Sequence, residues 1–210
     1  MAPPTPTVFV VDDQPAVRHS LRWLITSAGL HVETYATAQE FLAHYDPAQP
    51  GCLVVDVRMP GMSGPDLQEE LAARGIQMPI IFMTAYADTA TAGRVLKMGA
   101  EDFLQKPFSN QTILDRIRRA IAADAENRRR CTDAQSLAAR VARLTARERQ
   151  VAALVVVGKT NKAIAQELAV SEKTVEFHRA NAMSKLGAHS LAELVQMLVQ
   201  AASLGVMGLW

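Results

Sequence analysis

An α/β domain followed by a separate all-α domain is the fold the sequence predicts, and three observations carry it. Short apolar runs alternate with helical patterns through residues 1–122. Residues 144–210 hold four further helical patterns with no strand among them. A chain of 210 residues is long for one ordinary domain and ample for two that each bury a core.

Residues 8–11 form an apolar run too short for a helix, closed by Asp12, Asp13 and the Pro15 that starts one. This run reads as a buried strand. The same shape recurs at 53–55 and 80–83, and more weakly at 31–35 and 103–104. Between these runs the patterns predict helices at 16–28 (stopped by Gly29), 38–44, 65–74, 89–98 (stopped by Gly99) and 111–123. Five βα units imply a parallel sheet covered on both faces. The fourth helix carries Thr89, Thr91 and Gly93, each costing on the order of 0.5–1 kcal/mol in propensity, which predicts a marginally stable helix there.

Residues 123–143 turn to Ala, Arg, Gln and Asp without turn formers, and Leu137, Val141 and Leu144 share one helical face. A helical linker is expected, its Arg128, Arg129 and Arg130 reading as a solvated charge run. In the last segment Thr145 with Glu148 forms a capping box for a helix that Gly158 stops. A second helix follows at 161–168. Ser171 caps a third that ends at Gly187, and Ser190 with Glu193 caps a fourth to about Ala202.

Composition narrows the function classes. With 49% apolar and 20% charged residues the chain is neither disordered nor membrane-embedded. No stretch reaches the roughly 20 apolar residues of a membrane span, and residues 1–6 lack an export signal, so no membrane partner and a cytoplasmic address are expected. Cys52 and Cys131 stand without a CxxC or a His at ligand spacing, which argues against a disulfide framework and a zinc site. The net charge of +1 conceals an acidic first domain: residues 1–122 hold ten Lys/Arg against thirteen Asp/Glu, residues 123–143 five against three, and residues 144–210 seven against five. That polarity is compatible with a nucleic-acid surface in the second domain.

In a doubly wound parallel sheet, ligands bind beyond the carboxyl ends of the strands. Asp12 and Asp13 follow the first strand, Asp56 ends the third, Thr84 ends the fourth and Lys106 follows the fifth. Three crowded carboxylates repel one another unless a cation intervenes, and an all-oxygen set suits Mg²⁺. With that charge offset, Asp56 is placed to act as a nucleophile toward an activated phosphoryl group, Lys106 and the Thr84 hydroxyl neutralising its oxygens.

Residues 7–122 resemble the receiver domain of two-component response regulators. The matching motifs are Val10-Val11-Asp12-Asp13, Val55-Asp56-Val57-Arg58-Met59-Pro60-Gly61-Met62-Ser63-Gly64, Thr84-Ala85 and Phe103-Leu104-Gln105-Lys106-Pro107-Phe108. The resemblance implies a flavodoxin-like (βα)5 fold and a sensor histidine kinase that phosphorylates Asp56. It further implies Mg²⁺ held by Asp12, Asp13, Asp56 and the Arg58 backbone carbonyl, a switch formed by Thr84 and Phe103, and a cis Lys106-Pro107 bond. Phe103 reads equally as ordinary core.

The helices at 161–168 and 171–186 are joined through Ala169 and Val170, a turn short enough for a helix-turn-helix. Placing Val175, His178, Ala182, Met183 and Leu186 inward turns Lys173, Thr174, Glu176, Phe177 and Asn181 outward. Lys159, Lys162, Lys173, Arg179 and Lys185 suit phosphates. Thr174 and Asn181 suit base edges, Glu176 a cytosine amine and Phe177 a thymine methyl. Residues 144–203 resemble the LuxR/NarL-type four-helix output domain through Leu144-Thr145-Ala146-Arg147-Glu148-Arg149-Gln150-Val151, Gly158-Lys159-Thr160-Asn161-Lys162-Ala163-Ile164-Ala165 and Ser171-Glu172-Lys173-Thr174-Val175-Glu176-Phe177-His178-Arg179. Both domains in this order resemble the FixJ subgroup of NarL-type regulators.

That resemblance implies a transcription factor rather than an enzyme, activated through Asp56 to form a homodimer on double-stranded promoter DNA, with RNA polymerase as a further partner. Met197 and Ala201 are expected in the dimer contact, and Leu191, Leu194, Val195 and Leu198 in the core. Two other functions compete. A flavin or nucleotide enzyme on the same sheet would want backbone donors after the first strand, where Asp12 and Asp13 instead repel a phosphate. A constitutive DNA-binding protein would make no use of Asp56.

Overall fold

The structure is a computed structural model that describes residues 4–85 and 102–205. The helix expected at 89–98 and the last residues, 206–210, lie outside the described residues. The chain divides into two compact units, Met1–Arg128 and Arg129–Trp210.

In the first unit, β1 (Thr7–Val11), β2 (His31–Tyr35), β3 (Gly51–Asp56), β4 (Ile80–Thr84) and β5 (Asp102–Gln105) form one parallel sheet in the order β2-β1-β3-β4-β5. Side chains alternate across a strand, so a central strand covered on both sides must be apolar throughout. That is why β1 and β3 read as unbroken runs. Val8, Val10, Cys52 and Val54 pack with Leu21 and Ile25 of α1 (Pro15–Ser27) and with Ile113 and Ile117 of α4 (Asn110–Ala142). Phe9, Val11, Leu53 and Val55 turn the other way, onto Phe41 of α2 (Ala38–His44) and Leu67 and Leu71 of α3 (Gly64–Ala73). The runs at β2 and β5 are weaker because both are edge strands, and in β2 Tyr35 alone is buried.

Helix α4 departs from the sequence expectation. In place of a helix ending at Ala123 and a separate linker, one helix of 33 residues runs from Asn110 to Ala142. Nothing between those positions is Gly or Pro, so no residue interrupts the hydrogen-bond ladder. Its start contributes Ile113, Ile117 and Ala120 to the first unit. Its end contributes Leu137 and Val141 to the second.

The second unit adds α5 (Ala146–Val156), α6 (Asn161–Glu167), α7 (Glu172–Leu186) and α8 (Leu191–Ser203). Leu144, Val151, Ile164, Val175, Leu194 and Leu198 form its core. The Thr145–Glu148 capping box is present in full, and Ser171 and Ser190 cap α7 and α8 through the amides of Thr174 and Glu193. Two expectations on α8 are reversed. Its buried stripe runs Leu194, Leu198, Ala201, so Ala201 is fully buried and has no surface to offer a partner, while Leu191 at the helix start is 42% exposed. Val199 is the other large apolar residue that α8 turns outward.

Candidate functional site: an acidic pocket and a helix-turn-helix face

The strand order reverses at β1, from which the chain passes outward to β2 and then back to β3. Helix α1 after β1 covers one face and α3 after β3 the other, opening a crevice beyond the carboxyl ends of these two strands. Asp12 follows β1 and is fully buried, and Asp56 ends β3 at 7% exposure. Lys106 bridges them: its Nζ donates to Asp56 Oδ1 at 2.6 Å and to Asp12 Oδ2 at 2.9 Å. The remaining oxygens accept backbone amides, Asp56 Oδ2 from Arg58 at 2.8 Å and Asp12 Oδ1 from Gln14 at 2.9 Å. Burial disfavours the Lys106 ammonium, but the hydrogen bonds and charges of Asp56 and Asp12 outweigh it and raise the Lys106 pKa above its ordinary value.

Local backbone contacts set this geometry. The Lys106 amide donates to the carbonyl of buried Thr84 at 2.6 Å, so β4 places the lysine, and the Lys106–Pro107 bond is cis. Gly64 opens α3 against β3, where an added Cβ would stand 2.5 Å from the Asp56 carbonyl oxygen. The Arg18 guanidinium donates from Nη1 to the carbonyls of Asp12 at 2.7 Å and Asp13 at 3.0 Å, tying down the loop that carries the acids. Phe103 is half-buried against the α2–α3 core.

The pocket's charge fits a hard divalent ion. Asp12, Asp13 and Asp56 against Lys106 leave two negative charges in excess, and Asp13 Oδ1 is buried without a hydrogen-bond partner. Among the described residues no three His, Cys, Asp or Glu side chains stand together as a metal-holding group, and the Lys106 ammonium occupies the space between Asp12 and Asp56.

In the second unit, α6 and α7 are joined through the Leu168 cap, Ala169 in the left-handed region (φ 53°), Val170 and the Ser171 cap. Val175, Ala182 and Leu186 point into the core, and His178 and Met183 are half-buried. On the other side Lys173, Glu176 and Phe177 are exposed, Phe177 by 62%, with Thr174 and Asn181 half-buried at the margin. Lys162 is exposed on α6.

Three of the predicted phosphate ligands have partners within the unit. Arg179 Nη1 donates to Asn161 Oδ1 at 3.1 Å, and Lys159 pairs with Glu167. The third changes the sequence reading most: half-buried Lys185 binds buried Glu148 through Nζ at 2.9 Å and 2.7 Å, committing its charge to that carboxylate. Burial raises the Glu148 carboxyl, but Lys185 and the Thr145 amide outweigh it and hold its pKa below the ordinary carboxylate value.

Asp124 and Arg128 form a polar latch in a stretch whose composition reads as solvated. Asp124 is buried and its Oδ2 accepts the Gly51 amide at 2.9 Å and Arg128 Nε at 2.8 Å. Arg128 also donates to the carbonyls of Pro47, Ala48 and Gln49 at 3.1, 3.2 and 2.8 Å. The available signal was position: Asp124 continues the stripe of Ile113, Ile117 and Ala120 by one more turn.

Comparison with known proteins places both units. Residues 8–118 match the response regulator receiver domain family, and residues 142–198 the luxR family of bacterial regulatory proteins. The transcriptional regulatory protein FixJ of Azorhizobium caulinodans is 45% identical over 194 residues, covering 92% of this chain and 92% of that protein. The solved structure of the response regulator StyR, at low resolution, superposes with a TM-score of 0.84 at 47% identity, covering 93% of this chain and 99% of that one. Full-length FixJ from B. japonicum gives a TM-score of 0.58 at 39% identity over 95% of this chain and 98% of its own.

Proposed function

The chain belongs to the FixJ-like two-component response regulators, which join a receiver to a LuxR-type DNA-binding domain, and on that premise we propose that phosphorylation of Asp56 controls its binding to promoter DNA. It is a transcription factor rather than a conventional enzyme, with a histidine kinase as the receiver's partner and DNA as that of the second domain. One observation carries the proposal: the Asp56 carboxylate stands in a buried crevice with the Lys106 ammonium on its Oδ1.

In this reading an Asp56 oxygen attacks the phosphorus of a phosphohistidine. The new O–P bond forms as the P–N bond breaks, and the imidazole leaves with its electron pair. Lys106 turns its ammonium from the bare carboxylates to the phosphoryl oxygens, and the Thr84 hydroxyl donates to another. Receivers of this family bind Mg²⁺ at the phosphorylation site. Here Asp12, Asp13, Asp56 and the Arg58 carbonyl would hold that ion, whose charge offsets the phosphoryl oxygens. Thr84 and Phe103 then form the switch. Activation yields a homodimer in the cytoplasm that recruits RNA polymerase, activating transcription.

Lys162, Lys173 and Arg179, and Lys159 once it leaves Glu167, supply phosphate contacts. Thr174, Glu176, Phe177 and Asn181 face the bases. Incubation with phosphoramidate and Mg²⁺ tests the chemical step: the intact mass gains one phosphoryl group in the wild type and none in Asp56→Asn. Equal phosphorylation of the variant would overturn the assignment.

A further inference from the structure

Two arginines from outside the helix-turn-helix close the carboxyl ends of its two helices. Arg147 of α5 donates from Nη2 to the carbonyl of Leu168, the cap of α6, at 2.7 Å. Arg140 of α4 donates from Nη1 to the carbonyl of Leu186, the last residue of α7, at 2.9 Å. The final carbonyls of a helix have no partner in their own ladder and carry the negative end of its dipole, so a guanidinium there satisfies an acceptor and a charge together. The other cation of that turn, Lys185, is spent on Glu148. Neighbouring carbonyls are met by the chain itself, with the amides of Gly187 and Ala188 returning to Ser184 and Met183. Arg140 is thus the side chain that caps Leu186.

Its position gives that bond its meaning. Arg140 lies before the segment 142–198 that matches the luxR family, on a helix that begins at Asn110 against the sheet of the first unit. Leu137 and Val141 on either side of it are buried in the second unit's core, so the guanidinium is held where it is by packing. We propose that Arg140 is a positioning residue for DNA recognition: it fixes the carboxyl end of α7, and through it the presentation of Lys173, Phe177 and Asn181 to the groove. This rests on α7 being the recognition helix. The last turns of α4 are therefore a working part of the DNA reader, and a change in α4 has a direct route to α7.

The test uses the full-length chain, treated with beryllofluoride and Mg²⁺, on duplex DNA that the wild type has selected from a random-sequence pool. Arg140→Ala is expected to weaken binding about twofold to fivefold, the typical range for a cation lost from a helix terminus. The slope of log affinity against log salt stays unchanged, because no phosphate contact is lost. Amide exchange at residues 183–187 accelerates. Arg140→Lys, which keeps a donor and the charge, restores most of the affinity and covers the case in which the alanine variant folds poorly. Arg143→Ala removes an equal charge from an exposed neighbour and leaves binding as it was.

A lowered melting temperature in Arg140→Ala with unchanged affinity would reduce the residue to a structural one and overturn the proposal. A salt slope shallower by about one unit would make it a phosphate ligand instead, and an equal loss in Arg143→Ala would reduce the effect to net charge. Lys173→Ala separates the premise from the inference. If it binds like the wild type, the recognition-helix reading fails and the proposal with it; if it binds weakly while Arg140→Ala does not, the proposal fails alone.

Discussion

Replacing Lys185 by Met keeps the stem of the side chain and removes the ammonium that Glu148 is built around. Glu148 is 3% exposed and receives Lys185 Nζ on both oxygens, at 2.9 and 2.7 Å, keeping otherwise the Thr145 amide at 2.8 Å. A hydrogen bond to a charged group contributes about 1.5–3 kcal/mol, and removing one partner of a buried pair costs about 3–5 kcal/mol. The lysine end is 30% exposed, so water reaches the pair and moves the expectation to about 2–3 kcal/mol. For a domain this size that lowers the melting temperature of the second unit by roughly 8–20 °C. The dependence on pH has a definite sign. Because the folded Glu148 pKa is lowered from its ordinary value, its stabilisation is complete above that ordinary value and is lost as pH falls through the lowered one. The difference between wild type and Lys185→Met is therefore largest near neutrality and shrinks in acid, as chemical denaturation of both proteins at several pH values would register. A loss under about 0.5 kcal/mol at neutral pH, with a DNA salt slope shallower by about one unit, would rule out the buried pair as a source of stability and return Lys185 to the phosphates.

Gly64→Ala brings a Cβ within 2.5 Å of the Asp56 carbonyl, which a backbone shift must relieve. We expect about 1–3 kcal/mol of destabilisation by denaturant melts, with slower phosphorylation. Arg128→Ala leaves the buried Asp124 carboxylate with only the Gly51 amide; it costs about 2–4 kcal/mol, and amide exchange speeds up at residues 47–51. Lys106→Met leaves Asp12 and Asp56 facing each other without their cation, and the stability it loses is partly recovered by added Mg²⁺ in thermal melts. The wild-type contribution of Lys106 is full below about pH 10.5 and fades as pH rises through its raised folded pKa. Burial and then the charge of Asp124 push the Cys52 thiol up to about 12, so at mild alkaline pH a thiol reagent labels exposed Cys131 alone and reaches Cys52 only on unfolding, as intact mass would report.

The sheet was legible where burial leaves a signature in residue type. Strands β1, β3 and β4 are covered on both faces and read as unbroken apolar runs, whereas β2, an edge strand, carries Glu33 and Thr34 and reads faintly. Asp12, Asp56, Thr84 and Lys106 were legible as strand ends, because a parallel sheet sends those ends to one rim. Partnership was harder to read. Lys185 and Lys173 look alike in sequence, and only folding brings Glu148, 37 positions away, onto one of them. Asp124 reads as solvent-facing by type although its helical phase is that of Ile117 and Ala120. On α8, side-chain size misled: Ala201 stands on the stripe of Leu194 and Leu198, and Leu191 at the helix start projects beyond that packing. The continuity of α4 is not legible in composition, because the change at residue 123 is not a helix stop.

Control of DNA binding through Asp56 is tested by a binding titration on the selected duplex, comparing phosphorylated wild type, unphosphorylated wild type and Asp56→Asn under the same phosphodonor and salt. Phosphorylated wild type is expected to bind at least tenfold more tightly than the other two, which match each other, roughly 1.4 kcal/mol of coupling between pocket and DNA. Equal affinity of all three would contradict that control, leaving a DNA-binding protein indifferent to Asp56.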